Sequence, residues 1–372
     1  MPSPDCQELQ SSFSILQALQ QEFALAYQSS LSSQDLTKVK ELKAELEVKL
    51  AALQEQLNPL EKFLSLKEQY QAQKDLWQSL GILESLSTSQ EGIRGINNQE
   101  YPFPSYQEIT KKIRENKDFL QKKAEQGFTR LILVPFGLAL SRLTQAYQVS
   151  LLKHFQANQL FFTRKDPSDP EEELIPITKN QFNETNPLWV WEKYQEADQK
   201  GDLVYFPQEY STNHQGKSKG DILTQTNQGW QILLLEDLPN LPKAGSAQEK
   251  GGRKQLDNQG TSIKKYIQPS QTIPSPREYL QAIQEDPQYY GESGLTPEDW
   301  LAYALTYLEE KNQIIDDWQG NSKVSYNLGG YFPASDNVPN AYWNRDNRQT
   351  NLSRNNPGNR NVTCSVRSAV RV

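Results

Sequence analysis

The hydrophobic period of this chain changes at Gly127, and that change limits it to a mixed fold. Between Asp35 and Leu57, Val39, Leu42, Leu46, Leu50, Leu53 and Leu57 recur at steps of three or four, with Glu and Lys on the other faces. That spacing predicts an amphipathic helix. An earlier helix is predicted from Phe13 to Tyr27. A later one starts at the Asn58-Pro59 cap and carries Leu60, Phe63, Leu64, Tyr70, Trp77 and Leu80. The four-residue steps Leu42-Leu46-Leu50 break a strict heptad, so a helical hairpin and a short oligomerising stalk fit equally well. A hairpin follows, with Ile93 and Ile96 before an Asn97-Asn98 turn and Tyr101 and Phe103 after it. Ser105 and Glu108 form a capping box for a helix running to about Gln126.

Beyond Gly127 short apolar runs replace the helical pattern. Leu131 to Val134 reads as a buried strand stopped by Pro135, and Leu140, Leu143, Tyr147 and Leu151 mark an amphipathic helix. Strands are predicted at Leu160 to Thr163, Leu188 to Trp191, Leu203 to Phe206 and Gln231 to Leu235, and an extended loop from Pro242 to Pro274. Two capped helices come next, Ser275-Pro276 with Glu278 and Thr296-Pro297 with Asp299. Strands are then expected at Val324 to Leu328, at Ala341 to Trp343 and in the final run. The fold class is therefore α/β in the mixed, α+β sense. The domains expected are a helical, coiled-coil-prone region over 1–126 and a second domain over 127–372, clearest over 275–372.

Catalytic motifs are scarce. The two histidines, His154 and His214, have no partner at metal-ligand spacing, and Cys6 and Cys364 form no metal or disulfide framework. Gly216-Lys217-Ser218 has Ser211 where a phosphate loop needs its first Gly. The acids Glu171 to Glu173, Glu309-Glu310 and Asp316-Asp317 read as solvated loops and helix ends. Hence no catalytic residue, metal or cofactor is assigned. Without a signal peptide or a membrane-length apolar run, the default compartment is the cytoplasm, with export by another route open.

The end of the chain departs from the rest. The net charge is -7, yet from Asn337 onward six arginines face only Asp346, and lysine is missing. Asparagine occurs at 337, 340, 344, 347, 351, 355, 356, 359 and 361, between the apolar anchors Val338, Ala341, Tyr342, Trp343, Leu352, Val362 and Val366. Anchors at that spacing argue for a folded surface in which Asn and Ser adapt while Tyr, Trp and Arg supply strong contacts.

Four stretches carry a resemblance: Leu328 to Ser335 (LGGYFPAS), Ala341 to Arg348 (AYWNRDNR), Arg354 to Asn361 (RNNPGNRN) and the closing CSVRSAVRV. With the helix at Gly294 to Leu305 (GLTPEDWLAYAL), this part resembles the C-type-lectin fold of the formylglycine-generating-enzyme type. More specifically, it is similar to the variable proteins of diversity-generating retroelements. The resemblance covers roughly the last eighty residues. It implies a ligand-binding protein whose hypervariable surface spans 340–363. The ligand-facing positions would be Asn344, Asp346, Asn347, Gln349, Asn351, Ser353, Asn355, Asn359, Asn361 and Thr363, and the scaffold Tyr342, Trp343, Leu352, Val366 and Val370. Its ligand would be a protein or surface, with the N-terminal helices available for self-association or partner docking. Ser365 stands where the family has Gly, and Leu-Gly-Gly-Tyr replaces the enzymatic branch's Arg-Gly-Gly-Ser-Trp. That branch's cysteine pair has only Cys364 to match it, so its catalysis is not expected. A nucleic-acid binder using the Arg/Asn-rich end and a divergent enzyme of the same fold are the alternatives. The surface reading requires Asn344, Asn347, Asn351, Asn355 and Asn359 to line one exposed face.

Overall fold

The computed structural model describes residues 14–15, 17–28, 37–57, 64–164, 171–242, 249–257 and 259–372, with the backbone alone over 51–57. The chain divides into two compact units, Met1–Lys67 and Glu68–Val372. In the first, α1 (residues 17–28) and α2 (Thr37–Leu57) occupy the two predicted helical segments. Lys38 of α2 meets Glu22 of α1 at 3.3 Å. Leu19 and Leu42 are buried, while Leu25, Tyr27, Val48 and Leu50 are exposed. Phe13, Asn58, Pro59, Leu60 and Phe63 lie outside the described residues, as does Cys6. The next helix, α3 (Leu66–Ser79), begins after a turn in which Ser65 has φ +48°. No single helix therefore runs from Pro59 to Leu80.

In the second unit, β1 (Glu84–Ser85), β2 (Glu91–Arg94) and β3 (Glu100–Pro102) form an antiparallel sheet, with Asn98 at φ +62° in the predicted turn. The Ser105–Glu108 capping box starts α4 (Tyr106–Glu115). The helix expected to continue to Gln126 is broken at Asn116, whose side chain donates to the Lys112 carbonyl at 3.0 Å, and restarts as α5 (Lys117–Glu125). Asn competes with the helix ladder in this way.

The compact units divide at Lys67, while the sequence suggested a boundary at 126/127, and the reason for the difference lies in β4 (Phe128–Val134). This strand is the edge of its sheet. Its outward backbone groups are met by one face of α3. Gln69 accepts from the Leu131 N–H at 2.7 Å and donates to the Thr129 carbonyl at 3.0 Å. Gln73 accepts from the Leu133 N–H at 3.1 Å, and Trp77 donates to the Leu133 carbonyl at 3.0 Å. Four residues of helix rise about 6 Å and two of strand nearly 7 Å, so side chains at i and i+4 can track alternate strand residues. The helix thus covers an edge that would otherwise invite pairing. Gln73 is buried and also donates to the Thr306 hydroxyl at 2.9 Å. Gln73→Leu should cost about 1–3 kcal/mol by orphaning the Leu133 N–H. Urea unfolding of the full chain checks this, and an unchanged midpoint would refute it.

The remaining elements are α6 (Leu140–Gln156), β5 (Leu188–Val190), α7 (Ala197–Lys200), β6 (Val204–Tyr205), α8 (Lys219–Thr226), β7 (Gln231–Glu236), β8 (Glu249–Lys250) and β9 (Arg253–Lys254). They continue with α9 (Pro276–Glu285), β10 (Glu292–Gly294), α10 (Pro297–Lys311), β11 (Asp317–Trp318), β12 (Val324–Tyr326), β13 (Gly330–Tyr331), β14 (Val338–Asn344), β15 (Gln349–Asn355), β16 (Cys364–Val366) and β17 (Ser368–Arg371). Both predicted proline-led capping boxes are present, at Ser275 and Thr296. Leu160 to Thr163 is not a strand; only Phe161 forms isolated bridges. The loop predicted after Pro242 contains the small β8–β9 hairpin and the buried residues Leu256 and Ile263, with 243–248 and 258 outside the described residues.

One sheet runs β10-β17-β7-β4; the other runs β16-β12-β14-β15-β5, with β11 added to β14. Helix α10, buried from Pro297 through Leu308, contacts β4 of the first sheet, β14 of the second and α6. This is a mixed α/β fold with a helix as the core between sheets. Against the second sheet, Tyr279 and Ile283 of α9 share a buried cluster with Tyr326, Val338, Cys364 and Val366. The final run, expected as one alternating strand, is two strands in two sheets, β16 beside β12 and β17 between β10 and β7. Among the described residues no helix is long and apolar enough to cross a membrane.

Candidate functional site

Strands β14 and β15 pair residue for residue from Val338 opposite Asn355 to Asn344 opposite Gln349. The exposed turn Arg345–Arg348 joins them. Asn344 shapes that turn, its side-chain oxygen accepting from the Asp346 and Asn347 N–H groups at 3.0 Å each, and Arg348 closes it at φ +59°. Sequence periodicity did not reveal β15, because its single aliphatic residue, Leu352, carries no visible pattern. Along a strand alternate residues share a face. Leu352 and Thr350 enter the core, Thr350 with its hydroxyl 3.3 Å from that of Tyr147. Gln349, Asn351, Ser353 and Asn355 take the opposite face.

Cross-strand partners share a face as well. Tyr342 of β14 and Trp189 of β5 both pair with Asn351, which places the amide between two aromatic rings. The Asn351 amide donates to the Tyr342 hydroxyl at 3.2 Å, and Gln349 donates to the Asn351 side-chain oxygen at 3.4 Å. Asn183 donates to Gln349 at 3.2 Å. Trp318 meets Tyr342 edge-on, with centroids 5.5 Å apart. Trp189 is 37% exposed. It and Trp318 are the residues of this face that sequence reasoning missed; Leu188 to Trp191 signalled a strand but not what its Trp would face.

Burial divides the ten expected ligand-facing positions into three groups. Asp346 and Asn347 are exposed, and Asn355, Asn359, Asn361 and Thr363 are half-buried. Asn344, Gln349, Asn351 and Ser353 are only 4–9% exposed, so they form a floor and not an exposed surface. Asn344, Asn347, Asn351, Asn355 and Asn359 consequently do not line one exposed face. Cross-strand crowding and amide-to-amide bonding sink the strand residues. The half-buried group is also self-bonded: Asn359 donates to Asn355 at 3.1 Å, and Asn361 accepts from the Thr363 N–H and hydroxyl at 2.9 and 2.8 Å. Of the expected scaffold, Trp343, Leu352, Val366 and Val370 are buried. Tyr342 is corrected: it stands half-buried on the polar face.

The basic end is not a free cationic surface. Arg345 pairs with Asp317, Arg360 with Glu278, Arg367 with Asp316 and Arg371 with Asp299. Arg354 lies over the Trp191 ring, 5.0 Å from its centroid. The charge asymmetry seen along the sequence is thus largely neutralised inside the fold. Asp316 and Asp317, expected as solvated helix-end acids, are fully buried. Glu309 is held by Ser150, His154 and Lys153, and Glu310 by Arg130. Burial raises the Glu309 carboxyl, but the close approach of His154, the hydrogen bond from Ser150 and nearby positive charge outweigh it and hold it at about 2. Cys364 is a buried thiol, pushed up by burial against the opposing hydrogen bonds of Tyr326 and Thr363. His154 is buried 3.2 Å from Glu309, and His214 accepts from the Gly216 N–H at 3.0 Å. No protein-family model matches the chain, and no curated protein and no solved structure matches it.

Proposed function

We propose that this protein is a non-enzymatic binding protein that presents a diversifiable recognition site on the β14–β15 hairpin, on a scaffold of the C-type-lectin kind. One observation carries the reading. In β15 the residues that alternate toward the core are Thr350 and Leu352, whereas the other face is entirely Gln, Asn and Ser beside Tyr342 and Trp189. A strand divided in this way can change one face while the other keeps the fold. A surface on which all five asparagines share one exposed face is excluded, and what is proposed is a narrower site. Contacts to the ligand come from the exposed turn, from the half-buried residues Asn355, Asn359, Asn361 and Thr363, and from the Tyr342 and Trp189 rings, while Gln349, Asn351 and Ser353 set the shape of the floor. Aromatic anchors with adaptable amides around them are the vocabulary of variable binding surfaces.

Two measurements test it. The gene should lie near a reverse-transcriptase gene and a second, adenine-differing copy of the codons for Asn340 to Arg371; a locus without that copy removes diversification. A library randomised at Asp346, Asn347, Asn355, Asn359 and Thr363 should keep the parent's thermal midpoint in most members. Randomising Trp343 and Leu352 should abolish folding in most, since truncating buried aromatic or aliphatic residues costs about 2–5 kcal/mol each. Equal loss of folding in both libraries would sink the division into scaffold and adaptable face. The nucleic-acid alternative has to work with Arg348 and Arg354, because the other four arginines of this end are held by carboxylates.

A further inference from the structure

A second concave site lies away from the hairpin. It is a cleft of about 410 Å³ between β6, α8 and the end of β17, and no residue from 337 to 363 lines it. Its volume is within the range of small-molecule sites. An adjoining hollow of about 440 Å³, reaching to Tyr101 and α4, shares Lys112, Gln228, Trp230 and Ile232 with it. The walls of the first cleft have an unusual composition. Five of the fifteen residues are glutamines (Gln208, Gln215, Gln225, Gln228 and Gln231), three are cationic (Lys112, Lys217 and Arg371), and no Asp or Glu is among the described residues that line it. In a chain of net charge -7, a cleft lined by three cationic side chains and no acidic side chain is an electrostatic exception.

The three cations are not equivalent. Arg371 is committed: it pairs with Asp299 from behind and donates to Gln231 and Ser293. Its guanidinium lies 4.4 Å from the centroid of the Phe206 ring. Lys217 is exposed and ends on the Gln225 amide oxygen at 2.6 Å. Lys112 donates to the Val372 backbone oxygen at 3.3 Å. An ammonium has three donors, so each lysine keeps donors for a ligand. The backbone adds an independent sign. Phe206 and Gln215, both on the wall, stand at φ +54° and +53°. A bulky residue in the left-handed region is uncommon and strained, and such residues gather at functional sites. The Phe206 ring packs on the Arg371 guanidinium as part of the cleft wall.

We propose that this cleft binds a small hydroxylated organic anion, of the acidic-sugar or sugar-phosphate class. Lys217 and Lys112 take the charge, and the glutamine amides, each both donor and acceptor, take the hydroxyls. A bare inorganic anion would leave the amides unused, and a neutral sugar would leave the lysines unused.

The test is thermal-shift titration of the full chain with glucose 6-phosphate, glucuronate, inorganic phosphate and glucose at constant ionic strength. The expected result is a saturable rise in midpoint with glucose 6-phosphate or glucuronate. Which of these acts at lower concentration distinguishes the phosphate from the carboxylate source. Phosphate and glucose should need at least tenfold higher concentrations. Lys217→Gln, at an exposed position, should keep the unliganded midpoint and lose at least tenfold in apparent affinity for the anionic sugar, while Lys153→Gln on α6 leaves it unchanged. Three outcomes overturn the proposal: no saturable shift with either anionic sugar, an equal response to inorganic phosphate, or an anionic-sugar response that survives Lys217→Gln.

Discussion

Asp316→Asn should unfold the second unit at markedly lower denaturant, a loss of about 3–5 kcal/mol, because it leaves the Arg367 guanidinium buried without its counter-charge. Asp316 is fully buried and Arg367 nearly so. Both carboxylate oxygens are used: one accepts from Arg367 at 2.5 Å and from the Ser322 hydroxyl at 3.2 Å, the other from the Trp300 indole at 2.8 Å. Arg367 also donates to the Leu238 and Pro239 carbonyls. Its position explains the size of the effect. Arg367 is the single residue between β16 and β17, where the chain leaves one sheet for the other. Asp316 precedes β11, whose Trp318 rests on Tyr342 of the candidate face. Asn is the chosen replacement because Asp316 sits at φ +51°, which Asn tolerates. The double variant Asp316→Asn/Arg367→Met should recover much of the loss, since neither charge of the pair then remains. A single variant within 1 kcal/mol of the parent, or a double variant worse than the single, would show that the pair does not hold the sheets together.

Local signals in the sequence were legible, and long-range ones were not. The helices that begin at Pro276 and Pro297 could be read because a capping box is complete within four residues. Strand β4 could be read because Leu131 to Val134 is continuously apolar. Strand β15 could not, since its order comes from seven registered pairs with β14 and three with β5. The same limit applied to charge. Asp316-Asp317 resembles a solvated helix end until Arg367 and Arg345 arrive from 51 and 28 residues away. For the candidate site, asparagine spacing located the hairpin but not the depth of its residues, because burial on a sheet depends on the neighbouring strands. Gln69 and Gln73, ordinary polar helix residues in sequence, meet a strand edge about sixty residues downstream.

Lys219→Met should cost about 3–5 kcal/mol near neutral pH, a loss that shrinks as pH falls. Lys219, fully buried at the start of α8, donates to Asp198 and Glu298 at 2.7 Å each and to the Leu138 carbonyl at 3.0 Å. Glu298 also accepts from the Tyr205 hydroxyl at 2.7 Å, and Asp198 from the Leu140 N–H at 2.8 Å at the start of α6. One ammonium therefore joins α6, α7, α8 and α10. Burial alone would lower the Lys219 pKa, but the charges of Glu298 and Asp198 outweigh it and raise the pKa above the ordinary 10.5. In the parent this stabilisation is fully present below 10.5 and is lost only as pH rises through the raised value. Removing the ammonium leaves two buried carboxylates facing each other, at a cost of about 3–5 kcal/mol near neutral pH. Adding a proton removes one of these two facing buried charges, so the variant regains stability as pH falls. Urea midpoints at pH 7 and pH 5 provide the check: the gap between variant and parent should narrow at pH 5. A gap that stays constant would mean that Lys219 acts by packing against Phe136 and Tyr205, 5.3 and 5.7 Å from their ring centroids, and not as the counter-charge.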